Sequence, residues 1–397
     1  MPTFVIGEFV FIFAAILLFV HAFRHGRVYI MLWISSLVTG TANDAIFMAL
    51  PLVDNFWQSQ ACIMLTPRMP LYIPCVYVVF MYTSTVGAWR FKLPILGQAA
   101  LSGLMGEMIY APYDITGISN ILGGKIQIFK LKILGNRFVW WTWHDSDAPI
   151  RDRFLGAPVG SSAWVITFSC SFQLIWRLLL TNEQVKKGTN LSLSSMIWKI
   201  IISALTSTPL MMLQMAFFQL MSGDAQGLPT LRTLISCITV YSFHIYFLAA
   251  DEKDEKNLLF NKRKVDRSVR IFFTLYFIYM LANMIFGVPE HHMSTGVHQV
   301  VGECDVFDTD MTGHKRQVYL CQEDFNEDFN FQCPAFKDFK PKLVFHGTEW
   351  YTVCANGFAN HTDKVNHIIA IFLLSILGIF TYRVAFTTLK GPKKKSQ

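Results

Sequence analysis

The sequence is poor in charged residues. Asp, Glu, Lys and Arg together make up 15% of its 397 residues, against about 25% in soluble domains. Hydrophobic residues make up 53%, and phenylalanine alone occupies 35 positions. So little charge over so much apolar sequence excludes a disordered chain, a coiled coil and a fibrous repeat, and it argues strongly against a soluble globular enzyme.

Motifs of common metal enzymes are also missing. The chain contains no H-E-x-x-H sequence, the motif that places two histidines of a zinc site on one helix face. Histidine is sparse in the first five apolar segments and their loops, where it occurs only at His21, His25 and His144. This argues against a di-iron desaturase or hydroxylase, which carries a set of histidine-rich motifs.

Long apolar runs are abundant instead. A spanning helix needs about 20 mostly apolar residues, and nine segments of the chain qualify. We therefore predict an all-α polytopic membrane protein with about nine transmembrane helices, because backbone groups in hydrocarbon must be hydrogen-bonded within their own segment. The predicted spans are residues 4–22, 28–52, 70–89, 93–111, 158–180, 195–221, 229–250, 268–288 and 366–389.

The basic residues predict how these spans are oriented. They cluster in the loops after spans one, three, five and seven and in the tail after span nine. Cytoplasmic loops carry the excess of Lys and Arg, so the C-terminus should be cytoplasmic and the N-terminus should face outside or the lumen. The net charge of +7 then requires no nucleic-acid partner. We expect a core of eight spans over 1–288, and a last span with a basic tail over 366–397.

Residues 289–365 form a polar stretch between spans eight and nine, on the outer side of this topology. They contain four cysteines, and an even number in an oxidising compartment predicts two disulfides with three possible pairings. Asn360 begins an Asn-His-Thr glycosylation sequon on the same side. A small disulfide-stapled, extracellular or luminal domain follows, in a protein of the secretory pathway or plasma membrane. Its cysteines are Cys304, Cys321, Cys333 and Cys354.

Several polar residues interrupt the apolar spans. Asn43 and Asp44 lie inside span two, and Glu107 lies inside span four. Carboxyl groups in the bilayer are costly unless they are paired or hydrated, so each one indicates a functional site. The alternative is a structural pair with a neighbouring hydroxyl group or arginine.

The densest polar stretch lies in the predicted interfacial loop 112–157. Three of its tryptophans fit the aromatic belt of a membrane interface, and His, Asp and Arg residues follow directly. The histidine and aspartates could act as general acid and base, or bind a metal with Glu107, and the arginines could hold a phosphate or carboxylate head group. In the alternative, the two arginines neutralise the aspartates in a tightly paired loop. The residues are Trp140, Trp141, Trp143, His144, Asp145, Asp147, Arg151, Asp152 and Arg153.

A weak internal repeat combines these features. An acid-bearing span, a loop containing tryptophan and a span that begins at proline occur in order with Asp44, Trp57 and Pro70, and again with Glu107, Trp143 and Pro158. Repeats in membrane proteins often build a site at their interface. The second copy carries the charges.

This arrangement resembles the integral-membrane carotenoid biosynthesis family of the carotenoid hydratase type. The resemblance covers roughly residues 30–250. The chain departs from that family by adding spans eight and nine, the cysteine-rich domain and the Trp-His-Asp-Ser-Asp sequence at 143–147. The matching residues are Glu107, Asp114, Trp141, Trp143, Gly156-Ala157-Pro158 and Trp164, with Asp44, Trp57 and Pro70-Leu71 in the first half.

The resemblance implies a long isoprenoid or another lipid as substrate, bound between helices, and acid-catalysed addition or removal of water at a double bond without a cofactor. Glu107 or Asp114 would protonate the alkene carbon, and a second acid or His144 would activate water. Asp145 and Asp147 complete the candidate catalytic set. The candidate substrate-binding residues are Asn43, Asp44, Trp57, Trp141, Trp143, Arg151 and Arg153.

Three hypotheses for function remain open at this point. A lipid- or isoprenoid-modifying enzyme with an outer-leaflet site requires Glu107, His144, Asp145 and Asp147 to converge on one pocket. A non-enzymatic accessory subunit, lipid-binding protein or receptor, with a membrane-protein partner or a second copy of itself, requires the same charges to pair internally. A transporter would need broken helices and a site at the membrane midplane.

Overall fold

The computed structural model describes most of the chain. The described residues are 2–91, 93–117, 119–120, 135–136, 138–187, 191–250, 266–321, 325, 329–331 and 347–386.

Helices dominate residues 2–286 and return at the end of the chain. The helices are α1 (Pro2–His25), α2 (Arg27–Ala49), α3 (Tyr72–Tyr77), α4 (Thr83–Ala88), α5 (Ile95–Gly117), α6 (Val159–Leu179), α7 (Asn182–Lys187), α8 (Leu193–Ser222), α9 (Leu231–Ala250), α10 (Arg267–Phe286) and α11 (His361–Ala385). A π-helical turn, Val78–Tyr82, joins α3 to α4.

Most strands are two or three residues long, and the two longer ones lie in the region 289–365. The strands are β1 (Phe56–Gln58), β2 (Ser119–Asn120), β3 (Gly135–Asn136), β4 (Trp141–Trp143), β5 (Arg153–Phe154), β6 (Ala157–Pro158), β7 (Met293–Val301), β8 (Phe307–Thr309), β9 (Lys315–Gln317), β10 (Phe329–Asn330) and β11 (Thr348–Ala355).

Within the described residues, seven helices are long and apolar enough to cross a membrane: α1, α2, α6, α8, α9, α10 and α11. The predicted class of helical, multi-pass membrane protein agrees with this result, but the predicted count of nine is not reached. The segment 70–89 forms a shorter apolar unit, Tyr72–Ala88, which the π turn interrupts. Helix α5 has 23 residues but is not among the seven, since Gln98, Glu107 and Asp114 lower its hydropathy.

Two predicted boundaries shift in the structure. Helix α5 continues to Gly117 and contains Pro112, so Asp114 is a helical residue and the loop predicted to begin at 112 starts later. Helix α11 begins at His361 instead of 366, because the Asn360 side chain caps it by accepting a hydrogen bond from the Asp363 N–H at 2.9 Å. A capping side chain satisfies a backbone donor that the helix leaves open.

Small residues allow the helices to approach closely. A methyl group at Gly103 of α5 would lie 2.6 Å from the Ile166 carbonyl oxygen of α6, and one at Gly106 would lie 2.4 Å from the Ser169 hydroxyl oxygen. Small residues at such crossings let backbones pack where no hydrophobic effect drives association. The α5–α6 pair is consequently one of the tightest contacts around the site described below.

The two tryptophan loops of the weak repeat meet in space. Strands β1 and β4 pair antiparallel, with Trp57 opposite Thr142 and Phe56 opposite Trp143. We call this two-stranded element the ribbon, and the end of the helix bundle that carries it the ribbon end. At this end Glu8 of α1 accepts hydrogen bonds from the Cys62 and Ile63 N–H groups at 2.9 and 3.0 Å. At the opposite end, His21 of α1 lies 3.4 Å from Asp266.

The described residues of 289–360 form a small β domain at the ribbon end, which we call the outer domain after its predicted location. Strands β10, β11 and β7 make one antiparallel sheet, and β8 and β9 make a hairpin. Cys304 and Cys321 form a disulfide. Cys354 is disulfide-bonded as well, and Cys333 lies outside the described residues. The predicted disulfide bonding of this region is thus confirmed for Cys304 and Cys321. The all-α prediction missed the β structure of the region.

Candidate functional site

A cavity of about 320 Å³ lies between α2, α3, α5, α6 and α8, beneath the ribbon and the β8–β9 hairpin. Its wall is mainly apolar and rich in aromatic and methionine side chains, which suits a ligand that is largely hydrocarbon. Prominent apolar lining residues are Phe47, Phe56, Ile73, Val76, Tyr110, Tyr113, Trp141, Trp143, Trp164, Met211 and Met215. The polar lining side chains include Asn43, Asp44, Asn55, Gln58, Asp147, Gln219 and Asp310.

Asp44 and Asn43 stand on α2, and both side chains are buried. The Tyr77 hydroxyl of α3 donates a hydrogen bond to Asp44 Oδ1. The Thr208 hydroxyl of α8 donates to Asn43 Oδ1 at 3.0 Å. These two contacts tie α2 to α3 and to α8 beside the cavity, so the polar residues that interrupt span two form an organised part of its wall.

Gly40 explains how Tyr77 reaches Asp44. A methyl group at Gly40, one helical turn before Asp44, would lie only 2.1 Å from the Tyr77 ring. The ring therefore crosses α2 where the helix has no side chain. Tyr77 also precedes the π turn Val78–Tyr82, and such turns interrupt helices most often at functional sites.

The ribbon forms the wall of the cavity nearest the outer domain. The Tyr72 hydroxyl donates to Gln58 Oε1 at 2.9 Å, which fixes that side chain beside the aromatic wall. Trp143 lines the cavity, and its indole Nε1 has no hydrogen-bond partner among the described residues.

Asp147 occupies the same wall and is held by two partners. Asn55 Nδ2 donates to Asp147 Oδ2 at 3.0 Å, and Arg316 Nη1 lies 3.2 Å from Asp147 Oδ1. Burial raises the pKa of Asp147, and the hydrogen bond from Asn55 and the charge of Arg316 oppose that rise. The Asp147 carboxylate therefore forms an ion pair with Arg316 of the outer domain.

The tip of the β8–β9 hairpin covers the cavity. Asp310, Met311 and Thr312 all line it. Asp310 Oδ1 accepts hydrogen bonds from the Thr312 N–H at 2.8 Å and the His314 N–H at 2.9 Å. Burial would raise the pKa of Asp310, but these hydrogen bonds lower it below its usual value. The second oxygen of this buried carboxylate, Oδ2, has no hydrogen-bond partner among the described residues.

The β8–β9 hairpin is hydrogen-bonded to two loops of the helical part. The Met311 N–H donates to the Leu52 carbonyl at 3.2 Å, and His314 Nε2 donates to the Gln226 carbonyl at 2.7 Å. Gly227 has a φ of +80°, and a methyl group there would lie 2.1 Å from the Thr312 hydroxyl oxygen. A side chain at this position would both strain the backbone and push the hairpin away.

Of the predicted catalytic residues, Asp147 lines the cavity, whereas Glu107, Asp114, His144 and Asp145 do not. Glu107 and Asp114 stand on α5 beside the α6 residues Ser162 and Ser161. Asp114 is fully buried beside Ser161.

His144 and Asp145 are joined to the outer domain by one side chain. Gln299 Oε1 accepts from the Asp145 N–H at 2.8 Å, and Gln299 Nε2 lies 3.2 Å from His144 Nε2. Burial and the charge of Arg316 lower the pKa of His144 to about 3. An imidazole with so low a pKa is a weak general base at neutral pH, so this geometry fits a structural contact better than activation of water.

The predicted substrate-binding residues divide into two groups. Asn43, Asp44, Trp141 and Trp143 line the cavity, whereas Trp57, Arg151 and Arg153 do not. Trp57 packs beneath the Arg68 guanidinium, 5.3 Å from the ring centre. Arg151 Nη2 donates to the Lys315 carbonyl at 3.0 Å, and Arg153 Nε donates to the Ile150 carbonyl at 2.9 Å. These contacts place both arginines in loop structure, and their predicted role in holding a head group stays a prediction.

Sequence reasoning missed Tyr77, Met211, Met215 and Arg316, and it did not connect Asp310 with a cavity. The tyrosine and methionines are ordinary residues of apolar segments and carry no signal of their own. Asp310 belongs to an acidic run in which nothing distinguishes it. Arg316 is separated from Asp147 by 169 residues, so only the fold brings them together.

Seven apolar helices, an apolar cavity and a disulfide-linked β domain above it are the features of a helical, multi-pass membrane protein. The chain belongs to the family described as a domain of unknown function, DUF7802, whose sequence model matches residues 1–122 and 119–386. No curated protein and no solved structure matches the chain significantly.

Proposed function

We propose that this protein binds a neutral membrane lipid, an isoprenoid or another lipid with an uncharged polar end, in the cavity beneath the outer domain. The observation that carries the proposal is the cavity wall itself, which is apolar over most of its area and offers a few fixed polar groups. A pocket of this kind buries hydrocarbon and uses its polar groups to orient the ligand.

The charges of the wall favour a neutral ligand over an anionic one. Among the described residues that line the cavity there are three aspartates, Asp44, Asp147 and Asp310, and no Lys, Arg or His. An anionic phosphate or carboxylate head group would find no positively charged partner among these residues. An uncharged hydroxyl group could hydrogen-bond to the polar side chains of the wall and needs no charged partner.

The rim of the cavity suggests a route from the membrane. Leu52, Met212 and Met311 line the cavity and are each at least one-third exposed. Met212 belongs to α8. Only 22% of the most apolar stretch of this helix is buried, as expected for a helix that faces lipid. A lipid could therefore enter between α2 and α8 without crossing water.

The same proposal includes the predicted topology, with nine passes and with residues 289–365 outside or in the lumen. The first three passes support this topology. Helix α1 runs from the ribbon end to the end that carries Asp266, and α2 returns. The unit Tyr72–Ala88 then runs from the ribbon end to Arg90, which contacts Asp266. In this arrangement the unit Tyr72–Ala88 and α5 are passes that neighbouring helices shield from lipid. Glycosylation at Asn360 would mark the outer side.

The experiment is lipid analysis of protein purified from membranes in a mild detergent. We expect one neutral lipid class to be retained by the wild type at a roughly equimolar ratio, identified by mass spectrometry. Ala216→Phe should remove most of it, because Ala216 lines the cavity on α8. Leu213→Phe is the matched control on the same helix: Leu213 is 68% exposed and lies outside the lining. Equal retention by both variants, or an anionic lipid in the wild type, would refute the proposal.

A second candidate function is proton-transfer chemistry on the bound lipid, such as the addition of water to a double bond. The Tyr77–Asp44 hydrogen bond at the cavity wall favours it, since a buried carboxyl group is the kind of acid that such chemistry needs. Asp44→Asn should then keep the lipid bound but abolish conversion to the hydrated product. If wild-type protein and Asp44→Asn leave the lipid equally unchanged, binding alone is the function.

A further inference from the structure

At the end of the bundle opposite the ribbon, two histidines of α1 face an aspartate from another part of the chain. His21 and His25 are one helical turn apart, and Asp266 immediately precedes α10. Their side chains are 3%, 13% and 8% exposed. This cluster is separate from the cavity and has no part in the lipid-binding proposal.

The distances suit a small metal ion. His21 Nε2 lies 3.4 Å from Asp266 Oδ2, and His25 Nε2 lies 3.6 Å from Asp266 Oδ1. One potential ligand atom from each residue lies within 4.8 Å of the other two. Zinc bonds of about 2.0–2.1 Å in tetrahedral geometry place ligand atoms roughly 3.4 Å apart, so only small shifts would be needed.

The second nitrogen of each ring is already engaged, as in metal sites. His25 Nδ1 donates to the His21 carbonyl oxygen at 2.8 Å, which leaves the His25 Nε2 lone pair available. His21 Nδ1 lies 2.7 Å from the Tyr82 hydroxyl oxygen. Histidines that bind metals use their remaining nitrogen in this way, which fixes the ring and the tautomer.

An independent observation points to a missing ligand. His21 Nε2 is buried, and its 3.4 Å contact with Asp266 lacks the geometry of a good hydrogen bond. This contact is an ion pair only if the imidazole is protonated. A buried polar atom with so poor a contact is costly, and a metal bound to its lone pair would remove that cost.

Arg90 is the feature that most limits the site. Its guanidinium contacts Asp266 Oδ2, so a cation would share the carboxylate with an arginine. The other oxygen, Oδ1, is the one nearer His25. Arg90 would then orient the Asp266 carboxylate by binding Oδ2, while Oδ1 binds the metal.

We propose that His21, His25 and Asp266 form a zinc site that ties the end of α1 to the start of α10. Two imidazoles and one carboxylate are a ligand set that zinc accepts, with a fourth position left for water.

Metal analysis of the full-length protein tests this site. The protein is purified in detergent, stripped with a chelator, incubated with zinc and then dialysed, and its bound metal is measured by plasma mass spectrometry. We expect about one zinc per chain in the wild type and at least a tenfold weaker affinity in His25→Asn, since loss of one ligand of three removes much of the binding. His361→Asn is the control, because His361 is exposed and remote in sequence.

Cobalt substitution provides a readout that needs no variant. Cobalt in the wild-type protein should give the intense visible absorption of a four-coordinate site, and zinc should displace it. If the wild type holds no zinc after dialysis, or if His25→Asn and the wild type bind it equally, the cluster is only an ion-pair network around Asp266. Failure of this site would leave the lipid-binding proposal unaffected.

Discussion

Asp147 and Arg316 form a buried ion pair that joins the tryptophan-rich loop of the helical core to the outer domain. Arg316 Nη1 lies 3.2 Å from Asp147 Oδ1, and the two side chains are 4% and 2% exposed. Arg316 also donates to Asp308 Oδ1 at 3.0 Å and to the Asp54 carbonyl at 3.3 Å. The arginine therefore holds the ribbon loops and the β8–β9 hairpin together over the cavity.

We expect Arg316→Met to lower the free energy of unfolding by about 3–5 kcal/mol, because it leaves Asp147 buried and uncompensated. Asp147→Asn should cost less, since Arg316 keeps its bonds to Asp308 and to backbone carbonyls. Denaturant unfolding in detergent measures both variants. Arg232→Ala is the control: Arg232 is 68% exposed in its pair with Asp224, and such pairs contribute at most about 1 kcal/mol. Equal losses for Arg316→Met and Arg232→Ala would contradict this account.

The Gly40–Tyr77 contact predicts a link between packing and the site. Gly40→Ala should displace the Tyr77 ring and reduce lipid retention, with a stability loss of about 1–3 kcal/mol from overpacking. Tyr77→Phe separates the two effects, because it keeps the ring and removes the donor to Asp44. We expect it to cost about 1–3 kcal/mol, and lipid analysis of the two variants shows whether the hydroxyl or the ring position governs binding. Wild-type lipid retention and stability in Gly40→Ala would show that the ring has room to move.

The sequence was most informative where composition alone carries the signal. Apolar runs long enough to span a membrane revealed the seven helices, because burial in lipid needs only length and hydropathy. The polar residues Asn43 and Asp44 were singled out since they interrupt such a run, and they do line the cavity. Trp141 and Trp143 were singled out for a different reason, because the tryptophans of this loop fit the aromatic belt of a membrane interface.

These sequence patterns could not predict contacts between residues that are far apart in the chain. Arg151 and Arg153 are close in sequence to the aspartates, yet the partner of Asp147 is Arg316, and the two loop arginines donate to backbone carbonyls. The spacing of His21 and His25 is visible in the sequence, but Asp266 comes from more than 200 residues away. Hydropathy cannot supply such pairs, because they depend on which helix ends meet.

The sequon at Asn360 tests the proposed topology without disturbing the helix that follows. Thr362→Ala removes the sequon and leaves the Asn360 cap, whereas Asn360→Asp removes the sequon but keeps a capping oxygen. Both should abolish a glycosidase-sensitive gel shift with little loss of stability. Asn360→Ala should also lower the free energy of unfolding by about 1 kcal/mol, because the cap is lost. If the wild type from a eukaryotic host carries no glycan, the outer location of residues 289–365 loses its main support.

The interface between the ribbon and the outer domain should weaken in acid. His298 Nδ1 lies 2.9 Å from the Thr142 hydroxyl oxygen, and burial lowers the pKa of His298 to about 4. Burial, with the charge of Arg316, also lowers the pKa of His144 to about 3. Because both values lie below the unfolded pKa of about 6.5, the unfolded chain binds more protons in acid. Stability should therefore be complete above about pH 6.5 and fall as the pH drops towards 4.

Thermal unfolding between about pH 7.5 and pH 4.5 measures this loss. Other groups titrate in the same window, so the argument depends on a comparison of variants. His298→Asn can still hydrogen-bond Thr142 but cannot take up a proton, and it should flatten the pH dependence. The exposed His361→Asn variant should keep the wild-type slope, because a solvated imidazole titrates in both states. If the stability of His298→Asn depends on pH as steeply as that of the wild type, His298 is already hydrated in the folded protein. The contact with Thr142 would then be too loose to seal the outer domain over the cavity.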